Sequence, residues 1–376
     1  MVNANTTTYV LPQLLAQGLL SLRQFAVMPR YVNRAYETLA GEKGTTIDVP
    51  IPSAITAAAV SPSYVPPDDA GVSPTRVQIS LSQWWEAPFF LTDKELLEVM
   101  NGTIPLQAQE AIKAIANNVD SAILALYANV YGYAGTAGTT PFATDLSEYL
   151  SARSVLNNQL APLDPRFVVL NPDAEANALA LRAFQDAAFR GDTMGIQDGV
   201  IGKKLGAFWF VDQNVPSQTA GTWTNAGTTT GTNAAGQTTV NLTGGTGSIL
   251  AGDIVTFSGA DKQTYVVVTP TGTAPTTAIV VSPALVTAKS SGETVTVKAT
   301  HVVNMAFHRD AFVLASRPFA GADPLGLGQY SSAVDPISGL TLRLEVSRQH
   351  KRTRFSYDIL YGVQAVRPQL ACRIAG

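Results

Sequence analysis

Apolar residues recur every three or four positions from Ile104 to Val130. Ala108, Ile112, Ile115, Val119, Ile123, Leu126 and Val130 fall on one face. That stripe predicts a helix of about seven turns, a rod of roughly 40 Å. Pro105 suits its first turn, and Gly132, Gly135 and Gly138 end it. A shorter stripe of Leu14, Leu15, Leu19, Leu22 and Phe25 predicts an amphipathic helix with Pro12 near its start. Its neutral, apolar character points to docking on a partner surface rather than on an anionic membrane. The polar stretch Met1–Thr8 before it reads as an arm. Further helices are expected from Asp145, with Glu148 at capping-box spacing, and over Pro172–Phe184.

Elsewhere the period is two. Arg76–Ser82 places Val77, Ile79 and Leu81 on one face and Gln78, Ser80 and Ser82 on the other, a half-buried strand. Thr45–Ile51 is a second strand, and the proline-rich stretch between them makes the pair an extended hairpin. An isolated hairpin is marginal in water, so this one is expected to lie on something. Strands are also predicted at Phe167–Leu170, Ala207–Val211, Val302–Phe307, Leu340–Val346, Arg354–Leu360 and Gln364–Arg373. His308–Ala315 reads as a short helix ended by Pro318, and Gly321–Ser332 as a loop.

Between Asn214 and Thr300 the composition breaks. This span holds 22 threonines but only three lysines and three acidic residues, and no helical period is visible. Short apolar runs at Thr238–Leu242, Asp253–Phe257, Thr264–Thr269, Thr277–Val281 and Glu293–Lys298 are spaced as in a small barrel or sandwich. The span reads as an inserted β-domain, with Ser217–Gln237 as its flexible leading loop.

Composition narrows the function. The 376 residues allow two or three domains. Only 14% are charged, against a typical ~25%. Such a chain is best kept soluble by hiding surface against neighbours. A net charge of −3 argues against strong phosphate binding. A single cysteine, Cys372, excludes an internal disulfide and a multi-thiolate zinc site. His301, His308 and His350 lack helix-borne metal spacing. No signal peptide and no membrane span are visible, which suggests folding in a reducing cytosol.

No constellation supports catalysis or a cofactor. His308, Arg309 and Asp310 are adjacent, but successive helical residues diverge. Ser121 and Ser154 lie outside any GxSxG elbow. Glycines 195, 199, 202 and 206 lack the following GKT or GKS of a phosphate loop. Arg348–Arg354 is either a phosphate-binding patch or a solvated hairpin turn, and a lone cluster on an acidic chain favours the turn. Trp84 and Trp85 are adjacent on an extended segment, so one is expected in a core and the other on a contact surface.

The order of these features resembles the major capsid (coat) proteins of tailed double-stranded DNA phages, the Hong Kong 97-like fold. It is most similar to the short-tailed Salmonella phage branch, whose coat carries an inserted β-domain. The likeness rests on Leu19–Arg34 (LLSLRQFAVMPRYVNR), Ala251–Gly259 (AGDIVTFSG) with Thr264–Val268, Met305–Pro318 (MAFHRDAFVLASRP) and Asp358–Pro368 (DILYGVQAVRP). It implies an α+β fold made of an N-terminal arm (1–41), an extended E-loop hairpin (42–87), a peripheral domain with a spine helix (88–161 completed by 333–376), an axial domain (162–213 and 301–332) and an inserted barrel-like domain (214–300). The subunit contacts expected are Leu19, Leu22, Phe25, Trp84, Trp85, Arg348 and Arg352.

The resemblance further implies many copies of the chain, as pentamers and hexamers, in an icosahedral virion shell assembled in the host cytoplasm. Scaffolding and portal proteins would be partners, with a decoration protein as a further candidate; packaged DNA would be touched non-specifically. The alternative class is a non-catalytic surface or adhesion protein using the threonine-rich β-domain.

Overall fold

The structure is a computed structural model. It describes residues 15–36, 46–94, 103–185, 199, 201–317 and 328–376, less 17, 21, 23–25, 53–54, 56, 58–59, 61, 63–73, 225–226, 260, 262 and 336.

The apolar stripe is a helix over Thr103–Leu124, tightening into a 3-10 turn over Ala125–Asn129. Its 22 residues span roughly 33 Å. Ala108, Ile112, Ile115, Val119, Ile123 and Val130 are all buried, and Leu126 packs against the same core. The glycines after it do more than stop the helix: Gly132–Gly135 is a strand running parallel to Ala371–Ala375.

Two sheets share this core. The first is mixed, with His301–His308 at its centre between Ala371–Ala375 and Arg166–Leu170. Ala207–Val211 lies parallel to Arg166–Leu170 and pairs with Gly202–Lys204. The helix Ser147–Asn158 packs on this sheet, where Tyr149 meets Trp209 with ring centroids 4.7 Å apart. It starts two residues later than expected, because the Asp145 carboxylate accepts from Ser147 N (2.8 Å) and turns the chain in. The helix expected over Pro172–Phe184 breaks at Leu181 into Pro172–Ala180 and Arg182–Gln185.

The second sheet is organised by Arg352–Ala365, one strand of 14 residues. It runs straight through Gly362, where two strands were expected. There the Ser80 carbonyl of the hairpin approaches so closely that a Cβ would lie 2.4 Å from it. Thr341–Gln349 and Phe312–Ser316 pair with it, and Gln83–Thr92 lies along its other edge. Gly328–Val334 adds an outer strand where a loop was expected. The short helix expected over His308–Ala315 is instead a 3-10 turn, Arg309–Ala311, followed by the strand Phe312–Ser316. All five residues of that strand are buried, so both faces are apolar and the period-two signal is lost.

The hairpin forms as read, with Ile47 opposite Ile79 and Val49 opposite Val77. The insert is a six-stranded sheet of Val295–Val297, Ile254–Phe257, Tyr265–Thr271, Ala278–Ser282, Thr239–Thr243 and Thr228–Thr229, in that spatial order. A bridge between Thr228 and Thr294 joins its first and last strands and closes it into a barrel. Its core holds Val240, Leu242, Val255, Phe257, Tyr265, Val267, Ile279, Val281 and Val295. The leading segment is not a loose loop. Trp223 is buried in that core and donates to Val295 O at 3.3 Å. Gly227 and Gly245 clear room for the indole, since a Cβ on either would lie about 2 Å from it.

Candidate assembly surfaces

The base of the hairpin is anchored in its own subunit. Ile47, Val49, Ile79 and Leu81 form a small core with Val313, Ala315 and Val366. Farther out, Ile55 and Val60 are 80% and 92% exposed. Exposed apolar groups beyond an anchored strand suit a contact outside the subunit.

The next strand, Gln83–Thr92, offers an edge and a face. Phe89 points inward and stacks on Phe355, with centroids 5.2 Å apart. On the other face stand Trp84, Glu86, Pro88 and Phe90. Glu86 accepts from Arg354 (2.8 Å) and Ser356 (3.0 Å). Asp358 takes Arg343 and the Trp84 indole N–H, the latter at 3.0 Å. Trp84 and Trp85 are 62% and 48% exposed, so neither enters the core as one of them was expected to. Trp85 sits at the strand's start, opposite Ile359, and its indole N–H goes to Gln83 (2.9 Å).

The basic run forms the turn between Thr341–Gln349 and Arg352–Ala365, with Lys351 at φ 55°. Arg348 pairs with Asp93 at 2.6 Å. Arg352 donates to Gln349 (2.6 Å) and lies over the Phe90 ring at 4.8 Å. Arg354 is held by Glu86. Part of the positive charge is therefore met within the subunit, and the geometry is that of a solvated turn.

The arm residues divide differently. Leu22 is fully buried and Leu19 half-buried against the main core, with Leu15 beside them. Leu22 thus fastens the arm helix to its own subunit and is not available to a neighbour. Phe25 lies outside the described residues.

The joint between insert and host is polar and buried, a feature with no single motif in the sequence. Arg373, fully buried, donates from Nε to Val130 O (2.9 Å) and from Nη1 to Gly252 O (2.8 Å) across the joint. Its guanidinium lies over Tyr127 at 5.0 Å. Tyr127 donates to Gln218 (2.8 Å), whose Nε2 donates to Asp253 (2.9 Å). Burial lowers the Arg373 pKa to about 10, so it remains charged at neutral pH.

The chemical candidates are absorbed locally. His308 Nδ1 accepts from Asp310 N (3.3 Å), and the Asp310 carboxylate accepts from Asn33 (2.6 Å). Gly202 and Gly206 belong to the tight hairpin Gly202–Val211. Among the described residues no three His, Cys, Asp or Glu side chains gather as a metal site, and no helix is long and apolar enough to cross a membrane.

Known proteins agree with this geometry. Residues 76–225 match the family described as phage capsid protein. A structure of Mycobacterium phage Che8 is similar over 93% of this chain and 90% of that one, at 15% identity and a TM-score of 0.54. The capsid structure of Cyanophage P-SCSP1u is similar over 88% of this chain and 83% of that one, at 12% identity and a TM-score of 0.50. No curated protein sequence matches the chain.

The fold is α+β and of the Hong Kong 97-like kind that these phage structures share, carrying a barrel-like insertion. The match to the phage capsid family covers residues 76–225, and the likeness to the solved phage structures extends the shared fold over most of the chain.

Proposed function

We propose that the protein closes into an icosahedral shell of pentamers and hexamers around packaged double-stranded DNA. The observation that carries this reading is the fold shared with the phage structures, kept over nearly the whole chain, with the hairpin anchored at its base. In this reading the hairpin, Trp84, Trp85 and the turn bearing Arg348 and Arg352 meet neighbouring copies. Leu19 supports the arm from the subunit side. The insert, being poor in charge, steadies the subunit and faces outward, where it does not compete with DNA. Scaffolding and portal proteins assist assembly in the host cytoplasm, and the role is structural rather than enzymatic.

Electron microscopy of the full-length protein carrying Trp84→Ser and Trp85→Ser tests the contact assignment. Folded subunits that no longer form shells are the expected result. Unchanged shells would remove both residues from the interface.

A further inference from the structure

The root of the N-terminal arm is stitched to the turn Arg309–Ala311 and the strand after it. Asn33 N donates to Phe312 O and Leu314 N donates to Asn33 O, both at 3.0 Å, so Asn33 bridges to Val313. Its side chain works in both directions. Oδ1 accepts from Ala35 N at 2.8 Å, which turns the chain, and Nδ2 donates to Asp310 Oδ1 at 2.6 Å. Arg309 adds a bond from Nε to Val32 O at 3.2 Å. Together these bonds hold the backbone around a cleft of about 360 Å3 lined by Asn33, Arg34, Ala35, Arg309 and Asp310.

Two guanidiniums line this cleft and neither is neutralised. Arg34 is half-buried, and its Nε is buried with no hydrogen-bond partner among the described residues. Arg309 is exposed and, among the described residues, commits only its Nε. Asp310 lines the same cleft but is engaged elsewhere: Oδ1 holds Asn33, and Oδ2 lies 3.7 Å from His308 Nδ1. A buried N–H without an acceptor is costly and calls for a partner. One arginine fork already satisfies a carboxylate. Two forks on one opening suit a group with more oxygens and more charge, which is a phosphate.

We propose that Arg34 and Arg309 form a phosphate-binding cleft at the root of the arm, with the orphaned Nε of Arg34 among its donors. The cleft belongs to a single subunit. Packaged DNA as the source of the phosphate rests on the shell reading, and inorganic phosphate is the other source. A cleft with two cations takes about one phosphate per subunit, so its grip is weak and salt-sensitive, in keeping with the acidic net charge.

Phosphorus NMR of inorganic phosphate, titrated with the soluble full-length chain at fixed pH and ionic strength, tests the cleft. The wild type should shift and broaden the phosphate signal in a saturable way. Arg34→Gln and Arg309→Gln should each weaken binding about tenfold, the loss of one charge-assisted contact. Lys351→Gln, in the rival basic turn, should leave it unchanged. No saturable binding by the wild type, or undiminished binding by Arg34→Gln, would overturn the cleft. If Arg34→Gln does not fold, Arg309→Gln decides alone by the same criterion. A second arm follows a fluorescent DNA duplex by anisotropy. Weaker DNA binding in Arg34→Gln supports the cleft and assigns its phosphate to DNA. Weaker phosphate binding with DNA binding unchanged supports the cleft and assigns it to free phosphate. Neither result decides shell formation, which microscopy reads separately.

Discussion

Two substitutions separate core from surface at the scale of the single residue. Ile115 is 2% exposed in the middle of the helical stripe. Ile115→Asp buries an unpaired carboxylate, costing several kcal/mol, on the order of half a domain's stability. The expected outcome is insoluble or unfolded protein in a thermal melt. Arg352 sits on an exposed turn, where a single polar contact contributes ~0–1 kcal/mol. Arg352→Ala should melt within a few degrees of the wild type.

The insert offers a pH test at the same scale. Lys289, 1% exposed, pairs with Asp261 at 3.0 Å, and Tyr265 donates to the same carboxylate at 2.5 Å. Burial acts to raise Asp261, but the hydrogen bonds from Tyr265, Gln263 N and Lys289 outweigh it and hold the pKa below its usual value. A depressed carboxylate contributes stability that is full above the ordinary carboxylate range and is lost as pH falls through the folded value. The insert should therefore lose denaturant resistance on acidification, read by Trp223 fluorescence. Lys289→Met leaves a buried carboxylate short of its cation, which costs about 3 kcal/mol at neutral pH. It should also shrink the acid sensitivity; an undiminished acid response would mean that the pair does not set it.

At the scale of elements, legibility followed exposure. The helical stripe, the hairpin and the insert strands Thr239–Thr243 and Ala278–Ser282 could be read because each has one wetter face, which imprints a period of 3.6 or 2 on the sequence. Phe312–Ser316 could not, since it is buried on both sides. Ser217–Gln237 looked loose because glycine and threonine dominate it, yet Trp223 pins it, and only the three-dimensional approach of Gly227 and Gly245 shows why the glycines are there. The candidate surfaces were half legible. The adjacent tryptophans and the basic turn signalled themselves by residue type. The burial of Leu22, the Arg373 joint and the cleft between Arg34 and Arg309 depend on partners about a hundred residues or more away, which no local pattern encodes.

The closed barrel has its own core, so residues 214–300 expressed alone should fold. A well-dispersed amide NMR spectrum with slowly exchanging amides at Val255 and Val267 is the expected result. A collapsed spectrum would show that the Arg373 joint is needed to hold the barrel together.

At the scale of the whole molecule, the low charge content, the exposed apolar hairpin and the face bearing Trp84 and Phe90 have one common explanation: the subunit is incomplete alone. A chain with so few charges and so much apolar surface gains by covering that surface with copies of itself. In the proposed shell the acidic net charge would complement this, since a lining that does not grip phosphate would leave packaged DNA free to move. The direct measurement is electron microscopy, with sedimentation, of the full-length protein made alone and together with scaffolding and portal proteins. Closed shells, or capsomers with five-fold and six-fold symmetry, are the expected result. A stable monomer under both conditions would contradict the account.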